Sequence, residues 1–333
     1  MTTGYAARLR ALTLAGAMLL VACDAPTLPT NQTRTTDIAA SSVSSESAGL
    51  MGLAINDAGV IAGMRVNAAS RVVASAWSPQ TGLHDLATLG GSSASAFAVN
   101  RGGDMVGHSM TNAGDVRAAW WPHSGGAPVA LASLGGAWSH AASINAGGMA
   151  AGTSQTPTGA RRAVRWVGRR VEDLLTLGGA TSEAFAINAS GAIVGRSETS
   201  SGATHAFLAG PRGGLTDLGT LGGHTSAAIA INDGGQVVGY SLTASGETHA
   251  FRWTSALGMQ DLGTLGGSSS LAMGIDATGR VVGESLTPSG QTQAFTWSEG
   301  EGMVAVVSGT RVVRSAPAVS SNGRILLSQS TPQ

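Results

Sequence analysis

Residues 224–267 read HTSAAIAINDGGQVVGYSLTASGETHAFRWTSALGMQDLGTLGG. Four β-capable runs stand out in this stretch, at 228–231, 236–241, 249–253 and 259–265. Two turn signals separate the first three. Asn232-Asp233-Gly234-Gly235 places Asn first and Gly fourth, which suits a type I turn closed by a left-handed residue. Thr243 to Gly246 repeats the device in the form Thr-x-x-Gly. The stretch therefore predicts an antiparallel meander of four short strands.

The same unit recurs in both directions along the chain. Thr-Leu-Gly-Gly occupies 88–91, 176–179, 220–223 and 264–267, with Ser-Leu-Gly-Gly at 133–136, so successive copies are spaced 45, 43, 44 and 44 residues apart. The first turn begins at Asn56, Asn100, Asn145, Asn188, Asn232 and Asp276, and a seventh version begins at Ser320. Trp77, Trp121, Trp166, Trp253 and Trp297 recur at one place in the third strand, where packing between neighbouring units is their expected role. In the first strand, large residues alternate with small ones: Phe185 and Ile187 are interleaved with Ala184 and Ala186, and Ile229 and Ile231 with Ala228 and Ala230. A strand with one wet face would alternate apolar with polar instead. Both faces are thus packed, one of them closely. Gly63, Gly107, Gly152, Gly195, Gly239 and Gly283 in the next strand suggest the same crowding.

A four-stranded repeat of this length, with a crowded first strand, is the pattern of a β-propeller blade. A β-solenoid would need parallel strands and has no use for two tight hairpins per repeat. Six copies carry all four runs, and the seventh, at about 312–330, carries two, for 26 strands. Seven blades are expected, closed by both termini, with the β-capable segment 33–39 placed to supply an outer strand; six blades with a spare hairpin are the alternative. Leu327, in place of the repeated Gly, marks the last blade as irregular.

The motifs AIAINDGGQVVGYS, THAFRW and GMQDLGTLGG resemble the HAF family of probable extracellular repeats, named for the element at His249-Ala250-Phe251. The resemblance covers about residues 46–330 and is weakest where AAWW (118–121) and AVRW (163–166) replace HAFxW. It implies an exported repeat protein of unassigned activity and supplies no catalytic residue.

The N-terminus predicts export as well. Arg8 and Arg10 precede an apolar run from Ala11 to Ala22, too short to span a bilayer, which ends Leu20-Val21-Ala22-Cys23. That ending resembles a bacterial lipobox, and Cys23 is the only cysteine in the chain. Residues 1–22 read as a lipoprotein signal peptide, 23–45 as a Ser/Thr/Pro-rich tether and 46–333 as the propeller. Lipidation at Cys23 would hold the protein on a membrane of the cell envelope, at the periplasmic or the cell-surface side.

Composition narrows the chemistry. The 49 glycines suit turns and penalise helices. Formal net charge is zero and the nineteen basic residues are scattered, which argues against nucleic acid. No HExxH, CxxC, calcium loop, G-x-S-x-G elbow or phosphate loop occurs. No metal, no cofactor and no catalytic set is expected, and the chain reads as a monomer. His205 and His249 share one repeat position, and Asp85, Asp173, Asp217 and Asp261 share another. Residues used once per copy are expected to hold turns.

Positions that vary between copies are more informative. At the start of the inner strand the seven copies carry Met51, Ser95, His140, Glu183, Ala227, Leu271 and Ser315. His140 and Glu183 come from adjacent copies and form the candidate binding pair, at the mouth of a propeller channel. The expected function is a surface-anchored, non-enzymatic module that binds a protein, glycan or wall component on one face. A propeller-type glycoside hydrolase or lyase and a purely structural repeat protein are the alternatives.

Overall fold

A computed structural model describes residues 50–308, 311–312, 315–319, 323 and 325–328. The signal peptide, Cys23, the tether and the segment 33–39 lie outside the described residues.

Every described element is a β-strand. The first copy consists of β1 (Met51–Ile55), β2 (Ile61–Val66), β3 (Val72–Ser78) and β4 (Gly82–Asp85), and the second of β5 (Gly90–Val99), β6 (Met105–Thr111), β7 (Val116–Trp121) and β8 (Val129–Ala130). Next come β9 (Ser139–Ile144), β10 (Ala150–Gln155), β11 (Arg161–Val167) and β12 (Arg170–Asp173), then β13 (Gly178–Ile187), β14 (Ile193–Thr199), β15 (Thr204–Ala209) and β16 (Leu215–Asp217). The fifth copy holds β17 (Gly222–Ile231), β18 (Val237–Thr243), β19 (Thr248–Thr254) and β20 (Gly258–Asp261). The sixth holds β21 (Ser270–Ile275), β22 (Val281–Leu286), β23 (Thr292–Ser298) and β24 (Gly302–Ala305). A two-residue ladder, β25 (Val307–Ser308) with β26 (Arg311–Val312), leads into the last hairpin, β27 (Ser315–Val319) and β28 (Ile325–Ser328). Each full copy is an antiparallel meander in sequence order. A parallel bridge, Thr204 to Thr225, joins the fourth and fifth meanders into one eight-stranded sheet, and parallel bridges Val116 to Trp138 and Thr248 to Ser269 lie between the second and third copies and the fifth and sixth.

The hairpins follow the turn chemistry. Gly59 N–H donates to Asn56 O at 2.9 Å, and Asn56 N–H to Val60 O at 3.1 Å, with Gly59 at φ +83°. That is a type I turn closed by a left-handed glycine.

Two readings of the sequence need correction. The fourth strand ends at Asp261 and does not run to Leu265. Gly263, at φ +71°, breaks it, and Gly222 already pairs with Thr243 as the first residue of β17. The Thr-Leu-Gly-Gly segment thus carries the chain from one copy into the inner strand of the next. The glycines of the second strand are indeed crowded, but by their own copy. A Cβ on Gly107 would fall within the radius of the Ser95 carbonyl oxygen, and one on Gly195 within that of Glu183. The cause is a β-bulge in the inner strand, present in all six full copies, which pushes its backbone toward the second strand.

The core lies between copies. Ala62, Ala74 and Ala76 of the first pack with Ala94, Ala96 and Trp121 of the second, and Val194 and Ala206 of the fourth with Ala228 and Phe251 of the fifth. Where Ala119 and Val164 replace the recurrent Phe, Trp121 and Trp166 turn inward to 4% and 1% exposure. Their indole N–H groups donate across the junction to Ala87 O and Ala132 O, at 2.8 and 2.7 Å. Where Phe251 and Phe295 are present, Trp253 and Trp297 are only half-buried. In these four copies two residues of one strand share one volume; in the first, Ser75 stands at the Phe position and Trp77 is half-buried.

Polar side chains stitch the junctions at both ends. Leu89, Leu134, Leu177, Leu221 and Leu265 each donate a backbone N–H to the Ser in the second strand of the following copy, at 2.8 to 2.9 Å. At the other end of the inner strand, the turn asparagine works in two directions. Asn56 Oδ1 accepts from Ala58 N and Val60 N within its own turn, and its Nδ2 donates to Asn100 O of the next copy at 3.0 Å. Asn100, Asn145, Asn188 and Asn232 repeat the forward bond to Asn145, Asn188, Asn232 and Asp276. Inner strands lie side by side from β1 through β5, β9, β13 and β17 to β21. β27 lies against β21 and β22 on one side and against β1 on the other.

Candidate functional site

The variable position lies five residues before the turn asparagine or aspartate in each full copy: it is at the start of the inner strand in β1, β9 and β21, but midway along β5, β13 and β17, which begin earlier at Gly90, Gly178 and Gly222. Each variable position faces a residue of the second strand: Met51 faces Met64, Ser95 His108, His140 Thr153, Glu183 Arg196, Ala227 Tyr240 and Leu271 Glu284. Directly opposed residues point to one face of the sheet. The second, third and fourth copies therefore bring His108, His140, Thr153, Glu183 and Arg196 to one sector.

Two side chains from outside these pairs complete it. Trp138 lies 4.8 Å from His140, ring centre to ring centre, and the Arg161 guanidinium sits over the Trp138 ring at 5.4 Å. Arg161 also donates to Glu183 Oε1 at 3.0 Å. Arg196 places Nε and Nη2 on Glu183 Oε2 at 2.9 and 2.6 Å. Phe97 stands between the two imidazoles, 5.1 Å from His108 and 5.8 Å from His140. His140 and Glu183 thus belong to one cluster, joined through Trp138 and Arg161.

The electrostatics follow from burial and pairing. Burial, helped by nearby His108 and Arg161 and opposed by Glu183, pushes His140 down to about 4. His108 is likewise lowered by burial. Both imidazoles are therefore neutral near pH 7. Burial alone would raise the Glu183 carboxyl, but its bonds to Arg196 and Arg161 outweigh this and hold it below the usual range. Two guanidiniums against one carboxylate leave a local surplus of one positive charge. Two buried polar atoms have no partner here: Nδ1 of His140 and the hydroxyl of Thr153 opposite it. An unmade buried bond costs about 1–3 kcal/mol.

The other recurrent polar residues do other work. His205 bonds Asp217 at 2.8 Å and His249 bonds Asp261 at 2.7 Å. The same aspartates accept from Gly219 N and Gly263 N at 2.8 Å, which fixes the chain as it leaves the fourth strand. Among the described residues, no group of three or more His, Cys, Asp or Glu side chains could hold a metal ion. Surface depressions of about 420 and 400 Å³ lie away from the cluster, one beside Glu247, Gly266 and Pro288, the other beside Arg165, Leu175 and Arg212.

The sequence reading picked out His140 and Glu183 and missed the residues that surround them. One signal was available for Trp138, which stands where the other copies have Ser93, Thr181, Thr225 and Ser269. Arg196 and His108 become visible only once strand register assigns them to Glu183 and Ser95.

No family model matches the chain, and no curated protein matches it in sequence. Solved structures do resemble it. The β-propeller domain of the Trilobed protease from Pyrococcus furiosus aligns with a TM-score of 0.51 at 13% identity, over 77% of this chain and 83% of that one. TolB from Acinetobacter baumannii gives 0.50 at 15% identity, with 76% of this chain spanning 65% of TolB. The BP39L lectin from Burkholderia pseudomallei gives 0.50 at 12%, over 82% and 89%. At these identities the likeness concerns the fold. With the strand order and the packing between copies, it makes this chain an all-β propeller of repeated four-stranded antiparallel blades.

Proposed function

We propose that the protein is an exported lipoprotein of HAF-type repeats, anchored through Cys23, that works as a non-enzymatic interaction module. Its ligand, an extracellular protein, glycan or wall component, binds where the second to fourth blades bring His140 and Glu183 together. One observation carries this reading. The packing residues repeat from blade to blade, whereas this sector gathers half-exposed Trp138, two neutral histidines and two unpartnered buried polar atoms. Such a departure from the repeat is what a binding site requires and what a purely structural array has no need of.

The propeller has seven blades closed by both termini. The position of β27 between β21 and β1 supports this count, as does the bond from Arg280 Nη2 to Gly323 O at 2.9 Å, which links the sixth copy to the seventh hairpin. The enzymatic alternative is disfavoured by Glu183 itself. Held by two guanidiniums, it stays ionised and cannot serve as the proton donor of a glycosidase.

The test is a binding survey with the full-length protein in detergent against glycans, wall fragments and extracellular proteins, followed by His140→Ala and Glu183→Ala. A ligand that both variants lose at unchanged melting temperature supports the reading. Ligand binding that neither variant alters would place the site elsewhere. Failure of labelled palmitate to enter the wild-type chain, with no loss of membrane partition in Cys23→Ser, would overturn the anchor.

A further inference from the structure

The geometry points to an acidic saccharide as the ligand of the His140 sector: one sugar ring carrying a carboxylate or a sulfate ester, seated against Trp138 with its anionic group on Arg161. The inference rests on the binding role just proposed and gives that site its ligand class.

Three features of the sector carry it. The first is the aromatic surface. Trp138 replaces a Ser or Thr used by four other copies and is only half-buried, with the Arg161 guanidinium over its ring at 5.4 Å and the His140 ring 4.8 Å away, so a sugar would meet the part of the indole that these two leave exposed. An indole face placed among polar groups is the usual platform for the C–H face of a sugar ring, because it removes apolar area from water while leaving the hydroxyls free.

The second is the balance of donors. Arg196 uses two N–H groups on Glu183 and Arg161 uses one. A guanidinium has five N–H donors, so donors remain on both after the carboxylate is satisfied. The Arg161 side chain is 51% exposed, against 33% for Arg196 and 14% for Glu183. Water and ligand therefore reach Arg161 most readily, and the charge they meet is positive. A planar fork of N–H groups matches a carboxylate or sulfate better than it matches a neutral hydroxyl. The sector would repel a cationic ligand.

The third is the floor. His140 and Thr153 are cross-strand neighbours, and each has a buried polar atom without a partner. Imidazole and hydroxyl can each donate or accept, as sugar hydroxyls can. An apolar peptide side chain would leave both unpaired. Thr153 is fully buried, so a polyol would satisfy them through a bridging water.

The experiment uses the full-length protein in detergent and four probes: oligogalacturonate, a sulfated heparin oligosaccharide, cello-oligosaccharide as the neutral control, and an acidic peptide. Titration is followed by Trp fluorescence and calorimetry. The expected result is binding of the uronate or the sulfated sugar at least tenfold tighter than the neutral one, and weakening with salt. Arg161→Gln should reduce affinity for the anionic sugar at least tenfold and remove most of its dependence on salt. Trp138→Ala should abolish the fluorescence change, and Trp138→Phe should retain part of the affinity, which separates loss of the platform from loss of folding. Preference between the two anionic probes tells carboxylate from sulfate. Equal binding of the neutral sugar, or tighter binding of the acidic peptide, overturns the acidic-saccharide inference but leaves the site in place if His140→Ala still removes it. Binding that no variant of the sector affects overturns both.

Discussion

Arg280 Nη2 donates to the carbonyl oxygen of Gly323 at 2.9 Å, a forward bond onto the fourth residue of the next turn where five earlier copies send an asparagine amide onto the first. The sixth copy has Asp276 at the asparagine position, which keeps the accepting half of the amide but has no N–H to send forward. The same arginine, through Nε, bonds Asp276 Oδ2 at 3.2 Å. One guanidinium thus neutralises a buried carboxylate and reaches the next hairpin. Arg280→Ala should leave Oδ2 of Asp276, a residue 3% exposed, without its guanidinium partner, at a cost of about 2–3 kcal/mol. Adding Asp276→Asn should recover much of that loss, because the amide of the other copies is then restored. A thermal melt of the single variant that matches wild type would refute the exchange.

Asn188→Asp tests the same bond inside the array. The turn would keep its acceptor for Ala192 N, but a carboxylate oxygen would face Asn232 O where Nδ2 now donates at 3.2 Å. Destabilisation of about 1–3 kcal/mol is expected in urea, with the slope of the transition unchanged. A shift below half of that would show that the turn alone, and not the junction, depends on Asn188.

Two alanine substitutions at glycine distinguish crowding from backbone conformation. Gly202 has φ +83° and open space around the position of a Cβ, so Gly202→Ala should cost about 1 kcal/mol. Gly195→Ala must displace the bulged backbone at Glu183 and should cost several times more. It should also disturb ligand binding, since the bulge sets the direction of Glu183. Equal costs would mean that the inner strand yields easily.

The histidine cluster predicts a pH dependence. His140 and His108 have folded-state pKa values below those of the unfolded chain, so the unfolded state binds more protons between about 4 and 6.5. Stability should therefore be flat above pH 7 and fall as pH drops from 6.5 toward 4. Glu183, lowered by Arg196 and Arg161, adds a further loss only below its own unfolded value of 4.5. Melting temperatures measured from pH 7.5 to 5 should decline less in His140→Gln than in wild type. An identical decline would show that His140 is not the group that titrates.

Seven blades and six make different demands on the C-terminus. Removing residues 310–333 takes β27 from its place between β21 and β1. A seven-bladed ring should then lose its cooperative melt, since the first and sixth blades would each lose a neighbour. A melt close to wild type would favour six blades with a peripheral hairpin.

What the sequence made legible follows from which interactions are local. Asn-x-x-Gly and Thr-x-x-Gly fix hairpins within four residues, so the meander could be read directly, and its period named the architecture. The end of the fourth strand was misplaced because Leu262 to Leu265 continue the apolar pattern, while the break depends on Gly263 and on Asp261 accepting its N–H. The crowding at Gly195 was visible, but its source was not, because a bulge leaves no composition signature. In the site, His140 and Glu183 showed as departures from the repeat. Arg196 and Arg161 did not, because their partnership with Glu183 depends on register in one case and on the blade-to-blade junction in the other.

The forward bonds of the asparagines all end on a main-chain carbonyl, never on a side chain. Every amino acid supplies that acceptor, so a copy can change almost any side chain and still be held by the copy before it. The positions proposed to face ligand lie five residues before the asparagine on the same strand. The recognition surface can therefore be varied while the junction bonds made by the asparagines stay as they are. A library randomised at Met51, His140, Glu183 and Leu271, with Ser95 and Ala227 kept because they are 3% and 0% exposed, should consequently yield folded proteins at a high rate, which would make this scaffold a source of new binding specificities.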